Sequence, residues 1–227
     1  MKLKVLAALA ASLMLCGCFD IQQNFRFADD GTVKVAMRLG LDASLVNMME
    51  SDEGSEPFCS DESVGQAEES GIRITANRST EGSNVICAFE VEGPAATVLE
   101  QLNSGDLIPG EKPEDGPQMS VKLTRENDDL VFLVSIPPFG SEEADDPMAE
   151  GMEKMFLASM AGRMLSWSIT APKIVETTGT LSADKQTASF AIPLAEAFKN
   201  KSKAYEFRTV FQVSNPDSFS WVESASR

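Results

Sequence analysis

The sequence predicts an α+β protein in which a curved antiparallel sheet of about nine strands, mostly joined by hairpins, packs on one long helix. Apolar and polar residues alternate over most of the chain, polar turns separate these segments, and one segment instead carries apolar residues at helical spacing. Hydrophobic residues make up 43% of the chain, which suits a single core. We therefore divide the chain into a leader (residues 1–17), one domain (18–214) and a C-terminal tail (215–227).

The leader is typical of a bacterial lipoprotein signal peptide. Two lysines precede the apolar run Val5–Leu15, which is too short to cross a bilayer as a helix. The run ends in the motif Leu15-Cys16-Gly17-Cys18, a lipobox pattern that predicts cleavage after Gly17 and lipid attachment at Cys18. An ordinary secretory signal is the alternative, but no Ala-x-Ala site stands before Cys18. More than one acyl chain on Cys18 would hold the mature protein stably on a membrane.

The residue after the predicted lipidation site bears on location in the cell envelope. Lipoproteins kept in the inner membrane commonly carry Asp there, whereas this chain has Phe19. In a Gram-negative host we therefore expect an outer-membrane protein that faces the periplasm. A surface lipoprotein of a Gram-positive host is the alternative.

The first predicted element of the domain is a hairpin. Apolar residues alternate from Ile21 to Phe27 and again from Val33 to Leu41, on either side of the turn Asp29-Asp30-Gly31. The alternation predicts one buried and one solvated face. The turn begins like a calcium loop but lacks the later oxygen ligands, so we predict no metal site there. Asp42 can cap a short helix that follows.

An acidic loop over residues 51–57 leads to a second hairpin, with arms near 72–74 and 85–91. Cys59 lies between the loop and the hairpin, and Cys87 lies in its second arm. Two cysteines in an exported domain predict one disulfide, which would attach the acidic loop to a strand. A redox pair is the alternative, but the chain has no C-x-x-C spacing to support it.

A short helix is expected after Pro94, followed by a loop rich in Pro and Gly over residues 109–117. The third hairpin then runs from Met119 to Ile136 around a turn at Asn127-Asp128-Asp129. Its second arm is nearly all apolar, which predicts burial on both faces.

The best helical pattern follows an acidic run and Pro147, which can occupy the first turn of a helix. Its apolar residues form one stripe: Met148, Met152, Met155, Phe156, Met160 and Met164. Methionine is flexible and polarizable, so such a stripe suits a surface that binds varied apolar ligands. Ordinary core packing is the alternative. We take these six residues as candidate ligand contacts.

The last predicted elements are mainly strands. A strand is expected at Trp167 and Ile169, and a fourth hairpin pairs residues 178–181 with 188–192. A short segment at 194–198 precedes a final strand over residues 205–213.

The composition and the missing motifs argue against several classes of function. The chain has no histidine, and it lacks the G-x-S-x-G, P-loop and dinucleotide-binding motifs, so we predict no enzyme activity, no cofactor and no metal. The formal net charge of −16 argues against nucleic acid as a partner and against adhesion to anionic headgroups by charge. Acidity of this kind keeps an envelope protein soluble.

Several features together resemble the LppM-like family of bacterial lipoproteins. They are the lipobox followed at once by a strand, the hairpin around Phe27–Val33, and the segment 171–180 that continues into Ser182–Thr187 and an apolar strand. The resemblance implies a START-like α+β fold with an apolar cavity and a role in binding an envelope lipid or glycolipid. It implies no catalytic residues.

We therefore expect a non-enzymatic lipoprotein, held at the membrane by its N-terminal acyl chains, that binds a lipid or glycolipid between the sheet and the helix at Met148–Met164. One alternative is a structural or protein-interaction lipoprotein whose exposed acidic loops at 51–57 and 141–147 hold a partner. An acid-dependent hydrolase is a third hypothesis. The sequence does not predict an oligomeric state.

Overall fold

A computed structural model describes residues 21–50, 59, 71–104, 119–138 and 162–222. These ranges contain eleven strands, three α-helices and one short 3₁₀ helix. The strands and helices are β1 (Ile21–Phe27), β2 (Thr32–Asp42), α1 (Ala43–Glu50), β3 (Arg73–Glu81), β4 (Asn84–Pro94), α2 (Ala95–Ser104), β5 (Ser120–Glu126), β6 (Asp129–Ile136), β7 (Met164–Thr170), β8 (Lys173–Thr177), β9 (Thr180–Leu181), β10 (Thr187–Pro193), α3 (Leu194–Lys199), β11 (Tyr205–Gln212) and the 3₁₀ helix Pro216–Phe219.

The strands form two sheets rather than the single sheet that we predicted. The first has seven strands in the order β3-β4-β2-β1-β7-β10-β9, and the second has four in the order β5-β6-β11-β8. The pairing of β1 with β7 is parallel, which corrects the expectation of an all-antiparallel sheet. Period-two patterns predict strands and their faces but carry no information about which sheet a strand joins. The described chain is mostly sheet with few helices, which agrees with the α+β class.

The two sheets share one core because aromatic side chains bridge them. The Phe132 ring of β6 lies 4.8 Å from that of Phe25 and 5.4 Å from that of Phe27, centroid to centroid. Phe27 also contacts Phe211 of β11 at 5.0 Å. All four side chains are almost completely buried. Contacts of this kind dominate core energetics because each ring removes a large apolar area from water.

We call the end at which β1 begins the upper end and the end at the β1–β2 turn the lower end. The 3₁₀ helix packs at the lower end, where Phe219 is fully buried and its ring lies 6.4 Å from that of Phe27. Val222 is also buried. Packed residues therefore continue past residue 214, where we placed the start of the tail. Serines flank Phe219 in the sequence, and no periodic pattern marks it or Val222 as buried.

Helix α2 contacts both sheets at one side of the molecule. Val98 and Leu99 are buried, and the helix contacts β2, β4 and β5. The Asn103 side chain donates a hydrogen bond to the Val121 carbonyl (2.7 Å) and accepts one from the Val121 amide (2.8 Å). Because Val121 lies in edge strand β5, these bonds satisfy backbone groups that no strand pairs on that side.

The chain passes from the second sheet to the first at Gly179, between β8 and β9. A Cβ atom at this position would collide with the Ser189 carbonyl oxygen and would lie 2.9 Å from the Phe207 ring. The close approach therefore requires glycine. The predicted fourth hairpin is confirmed only in part, since β9 has two residues and β8 is a separate strand of the other sheet.

The first three predicted hairpins are confirmed as β1–β2, β3–β4 and β5–β6. The predicted disulfide is also present, since Cys59 and Cys87 are joined with their Cα atoms 5.6 Å apart. Cys87 is fully buried in β4. Asp42 accepts a hydrogen bond from the Ser44 amide (2.9 Å) at the start of α1, as the capping prediction requires. Val46 of α1 packs on the neighbouring strands β2 and β4.

Candidate ligand-binding site

Two adjacent rows of side chains on the inner face of the first sheet differ in burial. Strand register aligns a row of five residues that are fully or almost fully buried: Val91, Val35, Phe25, Ile169 and Ala188. The next row towards the upper end consists of Phe89, Met37, Gln23, Trp167 and Phe190. We call this second row the upper row. Phe89 and Phe190 at its two ends are only half-buried, although both rings pack on the core.

A polar side chain lies at the centre of the upper row. Gln23 is 9% exposed, and its Oε1 atom accepts a hydrogen bond from the Trp167 indole Nε1 at 3.1 Å. Among the described residues, its Nε2 atom reaches only the Met37 sulfur, 3.7 Å away. A thioether is a weak acceptor, so the amide N–H groups of Gln23 have hydrogen-bonding capacity that the described residues do not use well.

A second thioether approaches the same site from the opposite sheet. The Sδ atom of Met119, the residue before β5, lies 3.2 Å from the Trp167 Nε1 atom. Met119 is half-buried and packs on the core. Flexible methionine side chains on both sheets therefore flank the Gln23–Trp167 pair, and such side chains adapt readily to apolar ligands of varied shape.

Only one residue of the predicted methionine stripe lies in the described chain. Met164 is the first residue of strand β7 rather than the last turn of a helix, so its predicted placement on that helix is wrong. Gly162 adopts a positive φ of 79° two residues earlier, which is unfavourable for continuing a helix. Met164 is half-buried and pairs with Pro193 at the upper end. Five candidates lie outside the described residues: Met148, Met152, Met155, Phe156 and Met160. Their role as ligand contacts stays a prediction.

The predicted lipid attachment site, Cys18, also lies outside the described residues. It precedes Ile21 by three positions in the sequence, and Ile21 begins β1 at the upper end. An extended chain spans at most about 3.3–3.6 Å per residue, so three positions allow a separation of at most about 11 Å. An anchor at Cys18 would therefore be joined to the end of the molecule at which the upper row lies.

Tyr205 occupies the upper end of the second sheet, where it pairs with Ile136. Its hydroxyl is buried, and among the described residues it has no hydrogen-bond partner of good geometry. Burial raises the pKa of Tyr205, and the negative charge of Glu196 acts in the same direction, whereas the nearby Asn200 side chain lowers it. The phenol therefore stays protonated at neutral pH and can donate a hydrogen bond.

Few polar side chains are buried in the part of the chain that the structure describes. Among the described residues, the buried side chains classed as polar or charged are Gln23 and Thr209, neither of which ionises. The same part of the chain contains no group of three potential metal-ligating side chains. Sequence reasoning missed Gln23, Met37, Met119 and Trp167 as site residues. A signal was present for Gln23, which interrupts the apolar positions of an alternating strand.

Taken together, the fold and site define a two-sheet α+β domain whose described interior is largely apolar and buries the Gln23 amide towards one end. No protein-family model and no curated protein matches the sequence. Among solved structures, the chain is similar to the folded domain of Mycobacterium tuberculosis LppM, determined by NMR, with a TM-score of 0.51 and 8% identity. The match covers 89% of this chain and 94% of the LppM domain. The resemblance to LppM that we inferred from sequence is thus confirmed at the level of the fold.

None of the helices in the part of the chain that the structure describes has the length and apolar character needed to span a bilayer.

Proposed function

We propose that this protein is a non-enzymatic lipoprotein of the bacterial cell envelope that binds a lipid or glycolipid against the upper row. The observation that carries the proposal is the upper row itself: half-buried aromatic rings at its ends, thioethers from both sheets beside it, and one buried amide at its centre. A ligand with a long apolar part and a few oxygen atoms fits this combination, because pockets for such molecules are largely apolar with few polar groups.

Envelope location rests on the sequence and on the fold. The lipobox at residues 15–18 predicts an acylated Cys18. The fold is similar to that of the LppM domain, and this similarity is consistent with an envelope-associated protein. The short distance from Cys18 to Ile21 would place the upper row near the membrane that supplies the ligand.

The absence of catalysis is part of the proposal. The chain has no histidine, and the described core buries no carboxylate or amine; its one titratable side chain there, Tyr205, stays protonated at neutral pH. Acid–base chemistry requires a titratable group held against the reacting atoms. The carboxylates that the structure describes lie at turns and on outer faces rather than in the upper row.

Gln23 gives the proposed ligand a polar contact. A carbonyl or hydroxyl oxygen is a stronger acceptor than the Met37 sulfur, so a ligand oxygen would replace that contact with a better one. The Oε1 atom would keep the hydrogen bond from Trp167. This arrangement favours a ligand whose ester or glycosidic oxygens lie at the upper row, with its alkyl chains on the neighbouring apolar side chains.

Native mass spectrometry with lipid extraction tests the proposal. Every described strand and helix lies between Ile21 and Phe219, so a version that starts at Phe19 keeps the fold without the anchor. We expect a stoichiometric lipid adduct on this protein after periplasmic expression. F89Q should reduce the adduct because it places an amide at the edge of the upper row. L133Q is the matched control, since the Leu133 side chain is half-buried like that of Phe89 but lies on the outer face of β6.

Two outcomes would contradict ligand binding at the upper row. One is a clean apo mass for the unsubstituted protein, which would favour the structural or protein-interaction alternative. The other is an undiminished adduct in an F89Q variant that still unfolds cooperatively at a normal temperature. An equal loss of adduct in L133Q would indicate general destabilisation.

A further inference from the structure

One edge of the first sheet is long, regular and exposed. Strand β3 has nine residues and pairs with β4 without a break in register. No described strand pairs with its other side. Seven of its nine residues are exposed, and only Ile74 and Ala76 are half-buried, so the edge is accessible to solvent. Backbone amides and carbonyls along such an edge can pair with a further strand.

The other edges of the two described sheets are short or covered. Strand β9 has only two residues. The Asn103 side chain of α2 binds the Val121 backbone on the open side of β5. Strand β8 pairs irregularly with β11, and on its other side the Ile174 amide donates to the Lys185 carbonyl at 2.8 Å. Proteins commonly restrict sheet edges in these ways to prevent association, and β3 is the exception among the described strands.

The hairpin turn determines which backbone groups of β3 point to the open side. Glu81 and Asn84 flank the two-residue loop Gly82-Ser83, and residues that flank such a loop form a hydrogen-bonded pair. Backbone groups alternate along an antiparallel pair, so every second residue from Glu81 back to Arg73 points towards β4. The other four residues point their backbone groups to the open side: Ile74, Ala76, Arg78 and Thr80.

The sequence of β3 is complementary to itself in antiparallel order. When two copies are paired through this edge with Asn77 on the two-fold axis, Arg73 lies opposite Glu81 of the partner subunit at both ends of the pair. Ile74 lies opposite Thr80 of the partner subunit. This register uses the whole strand and all the backbone groups on the open side. Opposite charges that face each other across strands stabilise the pairing.

Other registers fit less well. A shift by one residue would exchange the two faces of the sheet, so the alternatives differ by two residues. A shift of two in one direction places Arg78 opposite Arg78 of the partner subunit, and like charges in this position are destabilising. A shift of two in the other direction places Arg73 opposite Ser79 of the partner subunit and shortens the pairing.

The charges at the two ends of β3 support the register that is centred on Asn77. Arg73 is exposed and has no ion-pair partner among the described residues. The Glu81 side chain is 62% exposed and binds Arg38 through its Oε2 atom. A carboxylate has further acceptor sites, so Glu81 can bind a second guanidinium. A second copy of the chain would therefore supply a carboxylate for Arg73.

We propose that two copies of this protein associate through β3, in antiparallel register with Asn77 on the two-fold axis, so that their first sheets become one continuous sheet. The interface is isologous and closes at two subunits, because each β3 covers the open edge of the other. This association requires neither a bound ligand nor acylation of Cys18, so it is independent of the proposed function.

The symmetry is compatible with the predicted anchors. A two-fold axis that relates paired edge strands is perpendicular to the sheet, so the upper ends of the two subunits point in opposite directions within the sheet. When this axis lies along the membrane normal, the sheet lies parallel to the bilayer and both copies of Ile21 are at the same height above it. Each copy of Ile21 follows its own predicted anchor at Cys18 by three positions.

Cysteine cross-linking of the full-length protein tests the register. Opposite residues of a non-hydrogen-bonded pair have Cα atoms about 4.5 Å apart, within the range of about 4.4–6.8 Å for a disulfide. N77C should therefore form a covalent dimer under mild oxidation. T75C or S79C alone should not, because each lies roughly 14 Å along the strand from its own copy. A mixture of T75C and S79C should cross-link, and the unsubstituted protein is the control.

Charge reversal tests the partner by sedimentation equilibrium. R73E places two carboxylates opposite each other at both ends of the pair and should raise the dimer dissociation constant about ten-fold, as should E81R, which places two guanidinium groups there. An equimolar mixture of the two variants restores opposite charges at both ends, so it should form a heterodimer at the natural affinity. R26E is the matched control, since Arg26 is exposed in β1, away from the edge.

A monomer at every protein concentration from micromolar to millimolar would overturn the proposal. It would also be overturned if N77C cross-linked no faster than T75C or S79C alone, or if R26E weakened the dimer as much as R73E. Failure of the mixed charge variants to associate better than each variant alone would exclude the proposed register. These measurements do not involve lipid, so none of these outcomes bears on ligand binding at the upper row.

Discussion

At the scale of single residues, Gly31 shows how one position joins parts of the chain that are distant in sequence. It ends the β1–β2 turn with a φ of +86°, and its carbonyl accepts the hydrogen bond from the first amide of α2, at Ala95. A Cβ atom there would lie 2.6 Å from the Ser218 carbonyl oxygen. Gly31 thus permits the turn, the start of α2 and the 3₁₀ helix to meet at the lower end.

We expect G31A to destabilise the protein much more than G82A. Both glycines have positive φ and both lie in hairpin turns, so alanine at either position adds backbone strain of about 1–2 kcal/mol. Only Gly31 lacks space, because nothing lies within 4 Å of a Cβ atom at Gly82. Urea denaturation of the two variants measures the difference. Equal losses of stability would show that the approach of Ser218 is not tight.

Among the structural elements, β4 has the largest number of roles. It pairs with β2 on one side and with β3 on the other, contributes Val91 to the buried row and Phe89 to the upper row, and holds Cys87. The disulfide attaches Cys59 to this strand, and α1 packs beside the same strands. The outer third of the first sheet therefore depends on a covalent link as well as on packing.

Removal of the disulfide by C59S/C87S should lower the free energy of unfolding by about 3–4 kcal/mol. The two cysteines are 28 positions apart, and a cross-link that closes a loop of this length restricts the unfolded chain by about that amount. Chemical denaturation of the variant and of the reduced natural protein should give similar midpoints. Detection of two free thiols in the unreduced protein would contradict the pairing.

On the scale of the whole molecule, the two ends of the paired sheets differ in how they are packed. Aromatic contacts close the interior at the lower end, and the upper row lies near the first residues of β1.

Two exposed aspartates in turns at the lower end, Asp30 and Asp184, make the stability of the whole domain depend on pH. Thr32 donates to Asp30 from its hydroxyl (2.6 Å) and its amide (3.0 Å), and these bonds lower the pKa of Asp30. The Ser182 hydroxyl and the Gln186 amide lower the pKa of Asp184 in the same way.

These shifts predict the direction of acid sensitivity. A carboxyl whose pKa is lower in the folded state stabilises the protein above its unfolded pKa, near 3.8, and loses this effect as the pH falls through the folded pKa. D30N/D184N should therefore melt at a lower temperature than the natural protein at neutral pH, and the gap should close in acid. T32V, which keeps all charges but removes one donor to Asp30, should reproduce part of the effect. A gap that stays constant down to strongly acidic pH would contradict the assignment.

The sequence predicted local structure better than long-range structure, for a physical reason. The period of two in β1 and β2 and the Asp-Gly turn between them determine a hairpin without information from elsewhere. The parallel pairing of β1 with β7 brings Gln23 beside Trp167, 144 positions later, and no local pattern encodes that partner. The position of Gln23 on the core face could therefore be inferred, whereas its place beside Trp167 in the candidate site required the fold.

The same parallel pairing constrains the order in which the protein can fold as it is synthesised. Among the described strands β1 is made first, yet one of its two neighbours, β7, follows more than a hundred residues later. Until β7 is available, β1 has an unpaired edge that can associate with other chains. Strand β11, which lies inside the second sheet, is the last of the described strands to be made. Because both sheets depend on such non-local contacts, we expect the domain to fold slowly, with the β1–β4 region and the β5–β6 hairpin able to form before the rest of the sheets is complete.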